Sequence, residues 1–379
     1  MSRSPGTPRL LRRLNDRAAL ELLLADGPLT RAELGERTGL SKVTAGQLLA
    51  RLEERGLVEV AGERAGGRGP HAALYAVAPS SAYVAGLEVL PHGLTVAVAD
   101  ITGRIVVEVT VDPDDGDPVK AVHSAVARAC ETADVGLSQL RAFVIGTRGV
   151  VDPGSGDVRW SYDLPAWHVG VLASLRQTLG PSVTIENDVN LVALAEHSYG
   201  AAAGHQDFVV MWAGVGQGLG VMLGGRLHRG ITGGAGEIGW LPVPGEPLPS
   251  DVSEPQSGSF QRLVGHEALR GLAGAPSGAT VADLVRDGDA AYLDAVAGRL
   301  AVGAAAVAVV LDPGLIVLSG DVGRAGGERL AAKVEEAVAR ICPSQPRVVP
   351  TRVAGNPVLR GALVAALEQA REQVFSDTV

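Results

Sequence analysis

Cysteine is nearly absent from this chain: Cys130 and Cys342 stand alone and far apart. Two such residues build neither a disulfide framework nor a Cys-x-x-Cys metal site, so they read as reduced core thiols of a cytoplasmic protein. Aromatic residues are scarce too, at 3% of the chain, four of them tryptophan, which leaves alanine, valine and leucine to fill the cores. No stretch reaches the roughly 18 uninterrupted apolar residues that argue for a membrane span. The alanine-rich run around Leu300–Leu311 falls short of that length and reads as a buried helix, so no membrane partner is expected. The opening MSRSPGTPRLLRRLND holds no apolar run of about 7–15 residues, the core of a secretory signal.

Acidic residues outnumber basic ones by 42 to 33, a net charge of −9, and an acidic chain repels phosphate. The excess is unevenly placed. Residues 1–72 contain 12 Lys and Arg against 9 Asp and Glu; the remainder contains 21 against 33. A basic head on an acidic body is the asymmetry expected when one domain meets nucleic acid and the other does not. A length of 379 residues exceeds one ordinary core and implies two or three domains. The 50 glycines suit an α/β body with many tight turns between strands and helices.

In the head, Leu10, Leu11, Leu14, Ala18 and Leu22 recur at helical spacing and predict a first amphipathic helix ending near Asp26-Gly27-Pro28. Thr30-Arg31-Ala32-Glu33 has the form of a capping box and starts a second helix, ended by Gly39. Ser41 caps a third helix, in which Ala45, Leu48, Leu49 and Leu52 make the apolar stripe. Ser41, Lys42, Thr44, Gln47 and Arg51 fall on the other side. All can hydrogen-bond and none is acidic, as a helix reading the major groove requires. Two strands follow, Leu57–Val60 and Ala73–Val77, around a small basic hairpin tip with Arg64 and Arg68 among glycines. Such a wing can enter a narrow minor groove. Helix, tight turn, helix and basic hairpin in this order predict a winged helix-turn-helix domain over residues 1–78.

Beyond it, strands alternate with helices: Tyr83–Val89, Leu94–Ala99, Ile105–Val111, Phe143–Gly146, Val183–Ile185, Phe208–Ala213, Val221–Leu223 and Leu315–Ser319 read as strands, the pattern of a layered α/β body. The head stretch RAELGERTGLSKVTAGQLLARLEERGLV with its GGRGP wing resembles repressors of the ROK family (repressors, open reading frames and sugar kinases). The body resembles the same family in IGTRGVVDPGSGDV (145–158), ENDVNLVALAEHSYGA (186–201), WAGVGQGLGVMLGGRLHRGITGGAGEIGW (212–240) and LDPGLIVLSGDVG (311–323). The resemblance implies an actin-like, sugar-kinase (RNase H-like) body of two α/β lobes, over about 79–190 and 191–379. The C-terminal helix is then expected to return to the first lobe.

The resemblance also implies sites. Asn187 and Asp188 match the family's sugar-holding pair, whose carboxylate is the general base in the kinases; on composition alone the pair reads first as an Asx turn or helix cap. Glu237 matches a sugar-contacting glutamate, and Gly149 a close backbone approach to the sugar, with Arg148 where the family's proline usually stands. Trp240 replaces a family histidine, and it either stacks on a ligand ring or fills the vacated volume. The family's cysteine loop is missing: no cysteine or histidine lies between Trp240 and His266, so no zinc site is expected, and the Pro- and Ser-rich stretch 243–258 is expected to be mobile. The first phosphate turn of the kinases is displaced by Gly86-Leu87-Glu88-Val89-Leu90-Pro91-His92-Gly93, whereas a glycine turn survives at Gly214–Gly218. Phosphoryl transfer depends on such positioning, so Asp188 is expected to bind rather than catalyse.

The chain therefore reads as a non-enzymatic transcriptional regulator without a cofactor. It is expected to be a repressor of carbohydrate-related genes, acting on double-stranded operator DNA as a homodimer or homotetramer. A sugar or sugar-like effector in the cleft controls it. An active sugar kinase with an appended head, and a regulator whose cleft is silent, stay open as rivals.

Overall fold

The computed structural model describes residues 8–65, 71–91, 93–112, 117–161, 164, 167, 169–180, 182–252, 254, 257–276 and 278–376. The head contains α1 (Pro8–Asp26), β1 (Leu29–Thr30), α2 (Arg31–Thr38), α3 (Lys42–Glu54), β2 (Val58–Arg64) and β3 (Ala72–Val77). Its local signals form as the side-chain chemistry requires. The Thr30 hydroxyl accepts from the Glu33 amide at 3.3 Å, and a Glu33 carboxylate oxygen accepts from the Thr30 amide at 2.9 Å. Gly39 ends α2 in the left-handed region, at φ 69°. Ser41 caps α3, its Oγ accepting from the Thr44 amide at 3.2 Å, and Ala45, Leu48, Leu49 and Leu52 are buried.

Two features of the head differ from the sequence reading. The buried side of α1 is Ala19, Leu20 and Leu23, whereas Leu10, Leu11, Leu14 and Ala18 are exposed. A helix this rich in leucine and alanine offers more than one apolar stripe, and its packing partners choose among them. The wing is also larger. β2 runs to Arg64, and β1 adds a third strand, in the order β1-β3-β2. A two-residue strand carries no period, so nothing in the sequence marks it.

The body has two five-stranded mixed sheets. The first lobe holds β4 (Tyr83–Leu90), β5 (Gly93–Asp100), β6 (Ile105–Val111), α4 (Pro118–Thr132), β7 (Leu140–Thr147), the small hairpin β8 (Val150–Val151) and β9 (Val158–Trp160), α5 (Val171–Leu179) and β10 (Val183–Asn187). Its sheet order is β10-β7-β4-β5-β6, with β10, β7 and β4 parallel. Helix α6 (Asp188–Tyr199) then leads to β11 (Phe208–Ala213), β12 (Gln217–Leu223) and β13 (Arg226–Leu227). These are followed by α7 (Ser259–Val264), α8 (His266–Leu272), α9 (Val281–Asp287), α10 (Ala290–Leu311), β14 (Leu315–Ser319), α11 (Gly320–Ile341), β15 (Arg347–Pro350) and α12 (Pro357–Ser376). The second sheet is ordered β13-β12-β11-β14-β15. Two such lobes make the actin-like α/β body.

Strand alternation sorts the core into layers. Ala85, Leu87 and Val89 of β4 face the α4 and α5 side, while Val84 joins α6 and α12 on the other. In β11, Val209 and Met211 face the layer of α10 and α11, and Phe208 and Val210 face α6. Helices α6 and α12 thus lie between the lobes. They pack so closely that a methyl group on Gly361 would overlap the Leu191 carbonyl oxygen. The same apolar layer continues into the head through Phe375, Leu20 and Leu23, and Arg17 of α1 pairs with Glu372 of α12 at 2.6 Å.

The apolar run read as too short for a membrane is part of the 22-residue α10, long and apolar enough by composition alone to cross one; half of its most apolar window is buried. Its packing explains that composition: Phe260 of α7 lies directly on Gly303. Two serine hydroxyls bond to the backbone of the stretch 243–258. Ser257 Oγ donates to the Glu254 carbonyl at 2.7 Å, and Ser259 Oγ to the Pro247 carbonyl at 2.7 Å.

Candidate functional site

The N-terminus of α6 is the centre of the cleft. β10 delivers Asn187 as the helix cap: its Oδ1 accepts from the Asn190 amide at 3.1 Å. Its Nδ2 donates to the Gly149 carbonyl at 3.0 Å, drawing the loop after β7 to the helix end. The cap and the pocket residue are therefore one side chain. Gly149 stands at φ 97°, where a Cβ would collide with the Trp160 carbonyl; only glycine allows the two backbones to meet there. Below the cap, Glu186 accepts from Asn190 Nδ2 at 2.9 Å and pairs with Arg229 at 2.6 Å, which holds the β10–α6 corner.

Gly149, Asn187, Asp188, Glu237 and Trp240 all line one cavity of about 430 Å³. Burial, reinforced by the neighbouring Asp188 carboxylate, pushes the Glu237 carboxyl up to about 7. Two acidic groups facing one space, one of them keeping its proton to a higher pH than usual, can both accept and donate hydrogen bonds. Trp240 meets Trp160 edge to face, with ring centres 5.9 Å apart and planes at 68°. It is half-buried and lines the cavity.

Sequence reasoning missed Trp160, Trp212, Gln217 and Gln261, which line the same cavity. The scarcity of tryptophan was the available signal: three of the four in the chain gather here.

The opposite end holds the β4–β5 hairpin and the glycine turn. β4 and β5 pair down to Leu90 and Gly93 in a tight hairpin, where a kinase would need an open turn. Glu88 accepts from Asn356 Nδ2 ahead of α12; burial raises its carboxyl above the usual carboxylate range, while that bond and Arg148 draw it down. The glycine turn Gly214–Gly218 is present, but Asp321, in the first turn of α11, overhangs Gly214. His266 Nε2 lies 3.0 Å from that carboxylate, and Arg148 and Arg324 line the same cavity. Among the described residues no group of three His, Cys, Asp or Glu is arranged to hold a metal ion.

On α3, Ser41, Lys42, Thr44 and Gln47 are exposed along one face. The Ser41 and Thr44 hydroxyls lie 2.8 Å apart, engaged in the cap. Arg51 differs from the others. Its guanidinium pairs with the buried Asp16 of α1 at 2.6 Å, which ties α3 to α1 and leaves it half-buried at the edge of the face. Arg64 is exposed near the wing tip and pairs with Glu33. Arg68 lies outside the described residues.

The chain matches the model of the ROK family over residues 84–369 and that of the MarR family over 14–69. It is 24% identical over 267 residues to the DNA-binding transcriptional dual regulator NagC of Escherichia coli K12, covering 70% of this chain and 65% of that one. It is 30% identical over 223 residues to the glucokinase of Thermotoga maritima, covering 53% of this chain and 70% of that one. A solved structure described as a ROK family transcriptional regulator, homolog of the E. coli MLC protein, superposes with a TM-score of 0.75 at 18% identity. That superposition covers 97% of this chain and 99% of that one.

Proposed function

Since the chain belongs to the ROK family, we propose that it is a cytoplasmic DNA-binding transcriptional repressor of carbohydrate-related genes, controlled by a sugar or sugar-like effector and without kinase activity. It binds a pseudo-palindromic operator as a homodimer or homotetramer, because paired heads read paired half-sites. The observation that carries the reading is the joining of two features in one chain. A winged head exposes Lys42 and Gln47 on its third helix. A cleft gathers Asn187, Asp188 and Glu237 while Asp321 overhangs the glycine turn.

The effector's signal has a physical route. Asp188 begins α6, α6 packs on α12 at Gly361, and the far end of α12 holds the head through Glu372 and Phe375. A sugar that closes the lobes shifts α6 against α12 and so resets the heads. A coupling of about 1–3 kcal/mol changes operator affinity by roughly 5–150-fold.

The test is a duplex selected from a random library by this protein, followed by fluorescence anisotropy at fixed salt with and without a panel of sugars. Preferential binding of the selected duplex, weakened by one of the sugars, supports the reading. Binding indifferent to sequence overturns the head's assignment. ADP release with any hexose, abolished in Asp188→Asn, overturns the non-catalytic one.

A further inference from the structure

Resting on the operator-binding reading of the head, we propose that Val43 is a specificity-determining residue, packing its methyl groups on the C5-methyl group of a thymine in each operator half-site. Val43 is the second residue of α3 and is 70% exposed. The helix buries Ala45, Leu48, Leu49 and Leu52. With 3.6 residues to a turn, Val43, Gln47 and Ala50 then run down the centre of the opposite side, and all three are exposed. An apolar residue on a helix reads from sequence as core, and only its exposure reveals it.

A single exposed valine is ordinary on a protein surface; the surroundings of this one are not. Lys42 lies on one flank of it and Thr44 on the other. Arg31 of α2 reinforces the Lys42 flank: a Cβ built on Gly46 would stand 3.4 Å from its Cδ and 3.5 Å from its Nη1, so the arginine lies across α3 one turn beyond Val43. The acidic residues of α3, Glu53 and Glu54, are confined to its C-terminal end. Phosphates are therefore attracted to the N-terminal half and repelled from the other. The half that enters the groove is the half that carries Val43.

A helix in the major groove meets phosphates along its sides and base edges along its centre. The centre here offers two chemistries. Gln47 has an amide that pairs with adenine N6 and N7. Val43 can form no hydrogen bond, and pressed on a polar base edge it would strip that edge of water without replacing the lost bond. Thymine alone among the four bases presents a methyl group in the major groove, and methyl against methyl needs no directional partner. Four residues of helix advance about 6 Å and successive phosphates of a strand are about 3.4 Å apart along the duplex. The thymine is thus placed within about two base pairs of the adenine read by Gln47.

The experiment is fluorescence anisotropy at fixed salt, using the full-length protein and the duplex it selects from a random library. Each thymine is replaced in turn by deoxyuridine, which removes the methyl group and keeps the base pair. The expected result is one thymine per half-site whose replacement weakens native binding about fourfold, the worth of one buried methyl group at about 0.8 kcal/mol. Val43→Ala binds the thymine and deoxyuridine duplexes equally, at the affinity the native protein shows for deoxyuridine. Val43→Ser gives the same equality and serves as the second variant should alanine alter the melting temperature. Native binding indifferent to every thymine methyl group overturns the role of Val43, as does a methyl effect undiminished in both variants; either result leaves the operator-binding reading standing. Native binding indifferent to duplex sequence overturns that reading itself.

Discussion

Raising the pH destabilises this protein through one carboxyl. Glu237 titrates at about 7 in the folded chain against an ordinary 4.5. Burial is the first cause and the Asp188 charge the second. Between those two values the folded state holds a proton that the unfolded state has lost. Because the folded value is the higher one, stability falls as pH rises through the window and levels off above about 7. Each pKa unit is worth about 1.36 kcal/mol, so the whole fall is at most about 3 kcal/mol. The assay is urea unfolding at fixed ionic strength from pH 5 to 8, for the native protein and for Glu237→Gln, which keeps the shape and removes the titration. The native protein should lose its margin over the variant steadily up to about pH 7. Asp188→Asn should narrow that loss without abolishing it, since burial remains. A native-minus-variant difference that stays flat across this range would refute the reasoning.

Two further outcomes follow from close packing and from the head. Gly361→Ala forces a methyl group into the Leu191 carbonyl of α6. It should cost about 1–3 kcal/mol or more and blunt the sugar response of operator binding; an unchanged melting temperature would contradict the α6–α12 contact. Arg51→Ala leaves Asp16, whose side chain is 5% exposed, without its ion partner. That should cost on the order of 1–3 kcal/mol, measured by thermal melting. Were Arg51 chiefly a DNA contact, the same change would weaken operator binding and leave the melt untouched.

Much of the head was legible because its signals act over three or four residues. The Thr30–Glu33 box, the Ser41 cap and the Ala45–Leu52 stripe need no distant partner to declare themselves. The phase of α1 was not legible, since leucines on several sides satisfy a helix equally and its partners β3, α12, α2 and α3 decide which are covered. In the cleft, Asn187, Asp188, Glu237, Gly149 and Trp240 could be named from motif resemblance. Gln217 could not: its place in the cavity wall is a property of the assembled fold.

The sequence by itself determined the order of the domains, the helix starts and stops of the head, and the chemical types available to the cleft, because backbone hydrogen bonding and side-chain periodicity are local. Only the tertiary structure decided that Trp160 and Trp240, eighty positions apart, share one wall. It also decided that Asp321 overhangs Gly214, and that α12 links the cleft's helix to the head. Those facts depend on close packing between segments remote in the chain, where a single methyl group settles which surfaces can meet.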